Sequence, residues 1–170
     1  QSGTILYTTN GGTNWLTPAT NPADVALNAV YMIHTDTAFI AGTYQSGSGY
    51  MHMKTTDGGA TWEKISGPNN SGYDMKFVNS REGWMTGASG KIYKTNDGGQ
   101  NWHLQITETS QTLYAISMWD ASNGWAVGTS GALQRTTNGG CVHPTVNLYD
   151  DITLCDESEG YIIVADTFVK

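Results

Sequence analysis

From Tyr73 to Glu108 the chain alternates apolar and polar positions in short runs broken by turn residues. Asp74-Met-Lys-Phe-Val78 has the period of two expected of a half-buried strand, Asn79-Ser-Arg-Glu-Gly83 carries turn chemistry, and Trp84-Met-Thr-Gly87 opens a second run. After the tight Ala88-Ser-Gly90 corner come Lys91-Ile-Tyr-Lys-Thr95, the turn Asn96-Asp-Gly-Gly99, and Asn101-Trp-His-Leu-Gln-Ile106. An Asp-Gly step between alternating runs signals a hairpin, because positive φ at the turn matches the twist of the flanking strands. The pattern predicts a four-stranded antiparallel meander, A-B-C-D.

The same pattern recurs from Leu27 to Ser66, with strands expected near 29–33, 38–42, 50–55 and 61–65, and again from Leu113 to Gly140. The N-terminal part offers only a C strand, Thr4–Thr8, and a D strand at Trp15-Leu16. Residues 152–164 align with the A and B strands at 116–128. Four octets punctuate the repeats: Thr8-Thr-Asn-Gly-Gly-Thr-Asn-Trp15, Thr55-Thr-Asp-Gly-Gly-Ala-Thr-Trp62, Thr95-Asn-Asp-Gly-Gly-Gln-Asn-Trp102 and a decayed Thr136-Thr-Asn-Gly-Gly-Cys-Val-His143. Their closing positions stand 47, 40 and 41 residues apart, the length of one propeller blade. A lone small sheet is marginal, so neighbours must stack face to face. We therefore expect an all-β fold, a β-propeller of about four four-stranded antiparallel blades or a segment of a larger one.

In domain terms, residues 1–140 read as propeller repeats. Residues 141–170 read either as a last half-blade that closes the propeller or as the start of an Ig-like β domain. The start in mid-repeat favours a segment cut from a longer propeller, and pairing of the two ends is the alternative. Phe39, Trp84, Trp125 and Tyr161 fall in one recurring slot and are expected in the blade core.

Composition narrows the function classes. The chain is rich in glycine, with 21, and only 14% of its residues are charged. No apolar run approaches the roughly 18 residues of a membrane span, so no membrane insertion is expected. A net charge of −7 with 8 Lys and Arg argues against nucleic acid, whose affinity rests on basic side chains. Cys141 and Cys155 are the only cysteines and form a disulfide candidate. Together these features suggest an extracellular or periplasmic, secreted protein.

The octets resemble the Asp-box, Ser/Thr-x-Asp-x-Gly-x-Thr-Trp, of BNR-repeat propellers such as sialidases and sortilin-type receptors. The longer frame Gly83-Trp-Met-Thr-Gly-Ala-Ser-Gly-Lys-Ile-Tyr-Lys-Thr-Asn-Asp-Gly-Gly-Gln-Asn-Trp102 is closer to the repeat of the photosystem II assembly and stability factor family. The resemblance covers residues 4 to 140. In the sialidase-like proteins the boxes lie away from the active site, so it implies a structural role for Asn10, Trp15, Asp57, Trp62, Asp97, Trp102 and Asn138. The side-chain oxygens at 10, 57, 97 and 138 can accept backbone N–H bonds across the turn, and the tryptophans can fill the space between blades.

Catalytic residues are not evident. A sialidase clamps its substrate carboxylate with three arginines, whereas this chain has only Arg81 and Arg135, one in an A–B turn and one on a C strand. His34, His52, His103 and His143 are scattered, and no metal site or cofactor is expected. Asp120, Asp156 and Glu157 belong to A–B turns. The photosystem family's recognition of an unassembled subunit is associated with a basic patch, which this acidic chain lacks.

Binding is what remains. The D–A and B–C loops share the rim opposite the boxes, and the B–C loop of the second repeat, Thr43 to Tyr50, is enlarged. Tyr44, Tyr50, Asn69, Asn70 and Tyr73 are the candidate ligand-binding residues, an aromatic and amide surface suited to a protein loop or a cell-surface glycan. The leading expectation is a non-catalytic extracellular scaffold for protein or cell-surface recognition, self-associating through open strand edges. The alternatives are an assembly chaperone similar to the photosystem II stability factor and a glycan-binding or degenerate sialidase-like domain.

Overall fold

A computed structural model describes residues 3–22, 24–46 and 49–140. Its eleven named strands form three antiparallel sheets. The first runs in the order β1 (Val25–Met32), β2 (Ala38–Tyr44), β3 (Tyr50–Thr55), β4 (Glu63–Ile65), and the second β5 (Gly72–Phe77), β6 (Gly83–Gly87), β7 (Ile92–Thr95), β8 (His103–Gln105). The third holds β9 (Leu113–Met118), β10 (Gly124–Gly128) and β11 (Leu133–Thr136), with β10 in the middle. A half-blade precedes them, marked by a bridge in which Tyr7 and Leu16 exchange N–H···O bonds of 3.0 and 2.8 Å. We call these four units blades 1 to 4. The antiparallel meander read from the alternation is present in each full sheet.

Two boundaries differ from the pattern. β1 begins at Val25, four residues before the expected start, because an irregularity between Leu27 and Ala29 resets the alternation. The D strands β4 and β8 begin only after the box tryptophan, since Trp62 and Trp102 end the turn rather than join the ladder.

Blades 2 and 3 bury both faces by leaning on their neighbours, and blade 4 buries the face turned to blade 3. Ile5 of the half-blade joins Val25, Ala38, Ile40, Met51, Met53 and Trp62 in one core. Phe39 and Ala41 of blade 2 join Met75, Phe77, Met85 and Tyr93 of blade 3 in the next. On blade 4 the face formed by Met118 and Ala126 is buried against blade 3. Polar ties cross the same seams. Tyr31 donates its hydroxyl to the Phe77 carbonyl at 2.8 Å, the Ile116 amide donates to Asp74 Oδ2 at 2.9 Å, and Trp84 Nε1 donates to the Gly139 carbonyl at 2.9 Å.

The recurring slot follows the same logic, with one correction. Phe39, Trp84 and Trp125 each sit on the B strand, paired across to Lys54, Lys94 and Arg135 on the C strand. Each cation lies over its partner's ring, at 5.2, 5.0 and 5.5 Å. Phe39 and Trp84 are 2% exposed, but Trp125 is 48% exposed and is not core. It faces the side of blade 4 on which no further described blade stacks. Trp15 is likewise 59% exposed while Trp62, its counterpart one blade on, is 7% exposed against Ile5. Tyr161 and the expectations for residues 141–170, the Cys141–Cys155 disulfide included, fall outside the described residues.

Candidate functional site

The Asp-box turns share one set of bonds. In blade 2 the Thr55 hydroxyl donates to Asp57 Oδ1 at 2.8 Å and accepts from the Gly59 amide at 3.0 Å. Asp57 in turn accepts from the Thr61 amide and hydroxyl at 2.9 and 2.6 Å. Blade 3 repeats this with Thr95, Asp97 and the amide and side chain of Asn101. Blades 1 and 4 place Asn10 and Asn138 in the same position, accepting from the amides of Asn14 and Gly140. The glycine pair is required by its backbone: Gly98 and Gly99 have φ of 72° and 81°, and a Cβ on Gly99 would lie 2.8 Å from the Phe39 ring.

These bonds act on the carboxylates. Donation by the Thr61 hydroxyl, then its amide and the Thr55 hydroxyl, brings Asp57 down to about 2. Burial pushes Asp97 up, but the Asn101 amide and side chain with Thr95 outweigh it and bring it to about 2. The boxes also lock each blade to itself. In blades 2, 3 and 4 the first glycine amide of the turn donates to the A–B turn carbonyl of its own blade: Gly58 to Asp36, Gly98 to Arg81 and Gly139 to Ser122, at 2.8, 2.8 and 2.7 Å. The box oxygens are thus spent on donors of their own turn.

On the opposite rim, a groove of about 430 Å³ opens between the end of β4 and the start of β3. Tyr50 and Asn69 line it, together with His52, Lys64 and Ser66. The Lys64 ammonium donates to the Tyr44 hydroxyl at 3.1 Å and lies 5.5 Å from that ring. Tyr44, Tyr50 and Asn69 therefore belong to one neighbourhood.

The other two candidates lie apart. Asn70 is buried, with its side-chain oxygen accepting from the Ala88 amide at 2.8 Å and its nitrogen donating to the Ala88 carbonyl at 3.3 Å. It clamps the B–C turn of its own blade and presents no amide to a ligand. Tyr73 is the second residue of β5 and meets Tyr114 of β9 edge to face at 5.0 Å, on the inner strands by which neighbouring blades touch.

His52 was missed as a groove residue, although β3 places Tyr50 and His52 on one face by simple alternation. It is buried, its Nε2 is 3.1 Å from the Pro68 carbonyl, and burial lowers its pKa. A carbonyl can only accept, so the neutral ring carries its proton on Nε2.

Other polar residues are engaged locally. His34 pairs with Asp36 at 3.1 Å, and Asp120 accepts the amides of Ser122 and Asn123, both at 2.7 Å. Arg81 lies in the β5–β6 turn and Arg135 on β11. Among the described residues no group of three or more His, Cys, Asp or Glu could hold a metal ion, and no helix is long and apolar enough to cross a membrane.

The repeats match the family model of the photosynthesis system II assembly factor YCF48 over residues 1–110 and 68–153. This chain belongs to that family. Two solved structures share its fold. One, described as YCF48 bound to D1 peptide, has a TM-score of 0.60 at 22% identity, with 69% of this chain and 39% of that chain covered. The other, YCF48 from Cyanidioschyzon merolae, gives 0.59 at 25% identity, with 71% and 37% covered. The chain thus spans less than two fifths of the length of these solved relatives. No curated protein matches it.

Membership in the YCF48 family corrects the expected location. An extracellular or periplasmic secreted protein is not what a photosystem assembly factor is, and the adhesion reading loses its basis with it. The family is that of an assembly factor rather than of a catalyst, and one of its members binds a peptide. The assembly-factor alternative therefore fits better than the scaffold reading that led the expectations. A glycan partner and self-association through strand edges find no support among the relatives.

Proposed function

We propose that this chain is the peptide-holding part of a non-catalytic photosystem assembly factor, and that it grips an extended segment of an unassembled subunit on the rim opposite the Asp-boxes. The observation that carries this reading is the groove in which Tyr50, Asn69 and Lys64 converge. An extended peptide exposes amides and carbonyls that the Asn69 amide and the Tyr50 hydroxyl can pair, and the aromatic ring gives contact area at small entropic cost. Lys64 adds a cation, held in place by the Tyr44 hydroxyl, for an acidic side chain or terminus. The family's association with a peptide-bound relative supports the choice of a polypeptide over a sugar.

The test is a fluorescence-anisotropy titration of the protein with labelled peptides tiled along the D1 subunit. One tile should bind saturably. Tyr50→Ala and Asn69→Ala should each weaken it about tenfold, and Arg81→Ala, on the Asp-box rim, should leave it unchanged. Binding that ignores both rim substitutions would sink the reading, as would turnover of any tile.

A further inference from the structure

The connection that leaves the D strand is tied down differently in blades 2 and 3. Counted from the box tryptophan, Ile65, Gly67 and Pro68 of blade 2 correspond to Gln105, Thr107 and Glu108 of blade 3. On the C strand His52 corresponds to Ile92, and the two pair across to Ile65 and Gln105. In blade 3 the Thr107 hydroxyl donates to the Gly90 carbonyl at 2.6 Å, which fastens the connection to the B–C turn. Blade 2 has only a glycine there, and a Cβ on Gly67 would collide with the His52 ring. Its tether comes from the C strand instead: His52 Nε2 donates to the Pro68 carbonyl at 3.1 Å.

The same carbonyl accepts the Asn70 amide at 2.8 Å, and the Asn70 side chain is clamped to Ala88. Asn69, whose amide lines the groove, thus sits between two anchored residues. The slot of His52 is filled by Ile92 in blade 3 and Leu133 in blade 4. A buried imidazole stabilises a core less than those side chains, so what it adds is its bond. Protonation would put a second N–H and a positive charge into that buried site. Tyr50 and Lys54 share its face of β3, Lys64 faces the groove from β4, and Tyr93 of β7 reaches the connection at Asn70. None of them is a carboxylate that could hold an imidazolium.

We propose that His52 is the positioning residue of the rim groove: its bond to Pro68 holds the wall from Gly67 to Asn69 in place for the peptide, and protonation of the ring releases that wall. This role rests on the peptide-holding reading given above. Burial holds the ring's pKa below 6.5, so the wall is locked at neutral pH and loosens as pH falls below that value.

The experiment compares the full chain with His52→Leu, which keeps the volume without the donor, and His52→Gln, whose amide N–H can reach the same carbonyl. Two quantities are read: the affinity of the bound D1 tile, and hydrogen exchange at the Asn70 backbone amide in the free protein. His52→Leu should weaken the tile and speed that exchange about fivefold each, the worth of one hydrogen bond, and His52→Gln should restore both. If His52→Leu fails to fold, His52→Ile, the residue of blade 3, serves in its place. In the unsubstituted chain the affinity should be constant above about pH 7 and fall below pH 6.5. His52→Gln should flatten that profile. The proposal is overturned if His52→Leu matches the unsubstituted chain in both quantities, if His52→Gln behaves as His52→Leu does, or if the acid decline persists in His52→Gln. Should no tile bind, the peptide reading fails by itself. Faster Asn70 exchange in His52→Leu than in His52→Gln would then still support the anchor, and equal exchange would overturn it.

Discussion

Trp84 and Trp125 are built alike and buried differently. Both follow a glycine on a B strand, both pair across to a basic residue on the C strand, and both carry that cation about 5 Å above the ring. Yet Trp84 is 2% exposed and Trp125 48%. The difference comes wholly from the neighbour. Blade 4 covers Trp84 and accepts its indole N–H at the Gly139 carbonyl, whereas no described blade covers Trp125. Within a repeat protein the repeat supplies the shape of a site, and the adjoining repeat supplies its energy.

Truncation should separate the two most sharply. Trp84→Ala leaves a cavity and an orphaned carbonyl, and is expected to cost about 3–5 kcal/mol in denaturant unfolding. Trp125→Ala should cost under about 1 kcal/mol, within the range of surface changes. Equal losses would mean that the Trp125 face is covered in solution.

The box threonines extend the comparison at smaller scale. Thr95 is fully buried and Thr136 half-buried, with the same bonds to the following glycine amide, 2.9 and 2.8 Å. Thr95→Val should lose about 1–3 kcal/mol because the Gly99 amide is stranded without water. Thr136→Val should lose less, since water can replace the hydroxyl. Chemical denaturation of both variants decides it.

Acid then probes the boxes as a class. Asp57 and Asp97 titrate near 2 when folded, below the usual 3.8, so the unfolded chain takes up their protons first. Their stabilisation is complete above about pH 4 and is lost as pH falls from about 4 toward 2. Melting temperature should decline over that window. Asp97→Asn, which installs the residue blades 1 and 4 already use, should flatten the decline. A slope unchanged by Asp97→Asn together with Asp57→Asn would assign it to other carboxylates.

The smallest expected effect is the cation itself. Lys94→Met, beside the buried Trp84, should cost about 0.5–1 kcal/mol, and Arg135→Met, beside exposed Trp125, less. A larger loss at Arg135 than at Lys94 in paired unfolding curves would contradict burial as the controlling variable.

Much of the fold was legible in the residues. Thr-x-Asp-Gly-Gly-x-x-Trp fixes a hairpin by local bonds alone, and period-two alternation identified the strands of blades 2, 3 and 4. β1 was misplaced by four residues because a bulge breaks the period, a feature set by pairing with β2 rather than by β1 itself. The rim surface was only partly legible. Tyr50 and Asn69 do meet in a groove, but Asn70, one residue on, turns inward to clamp Ala88, and Tyr73 belongs to the inner strands. A loop sequence says which groups are present and leaves their direction to the partners they find. Lys64 and His52 went unnoticed because a D strand and a C strand had to be brought side by side before they shared a wall.

By itself the sequence determined the unit: four strands, a glycine-paired turn and an aromatic slot. Those features depend on residues close in the chain, whose φ preferences and hydrogen bonds act before any tertiary contact exists. Tertiary structure decided which copies of the unit are buried, which polar groups are left without partners, and where a ligand could enter. Burial and desolvation depend on what stacks against a face, and in a propeller that is another blade, tens of residues away. The same tryptophan slot is core in one blade and surface in the next.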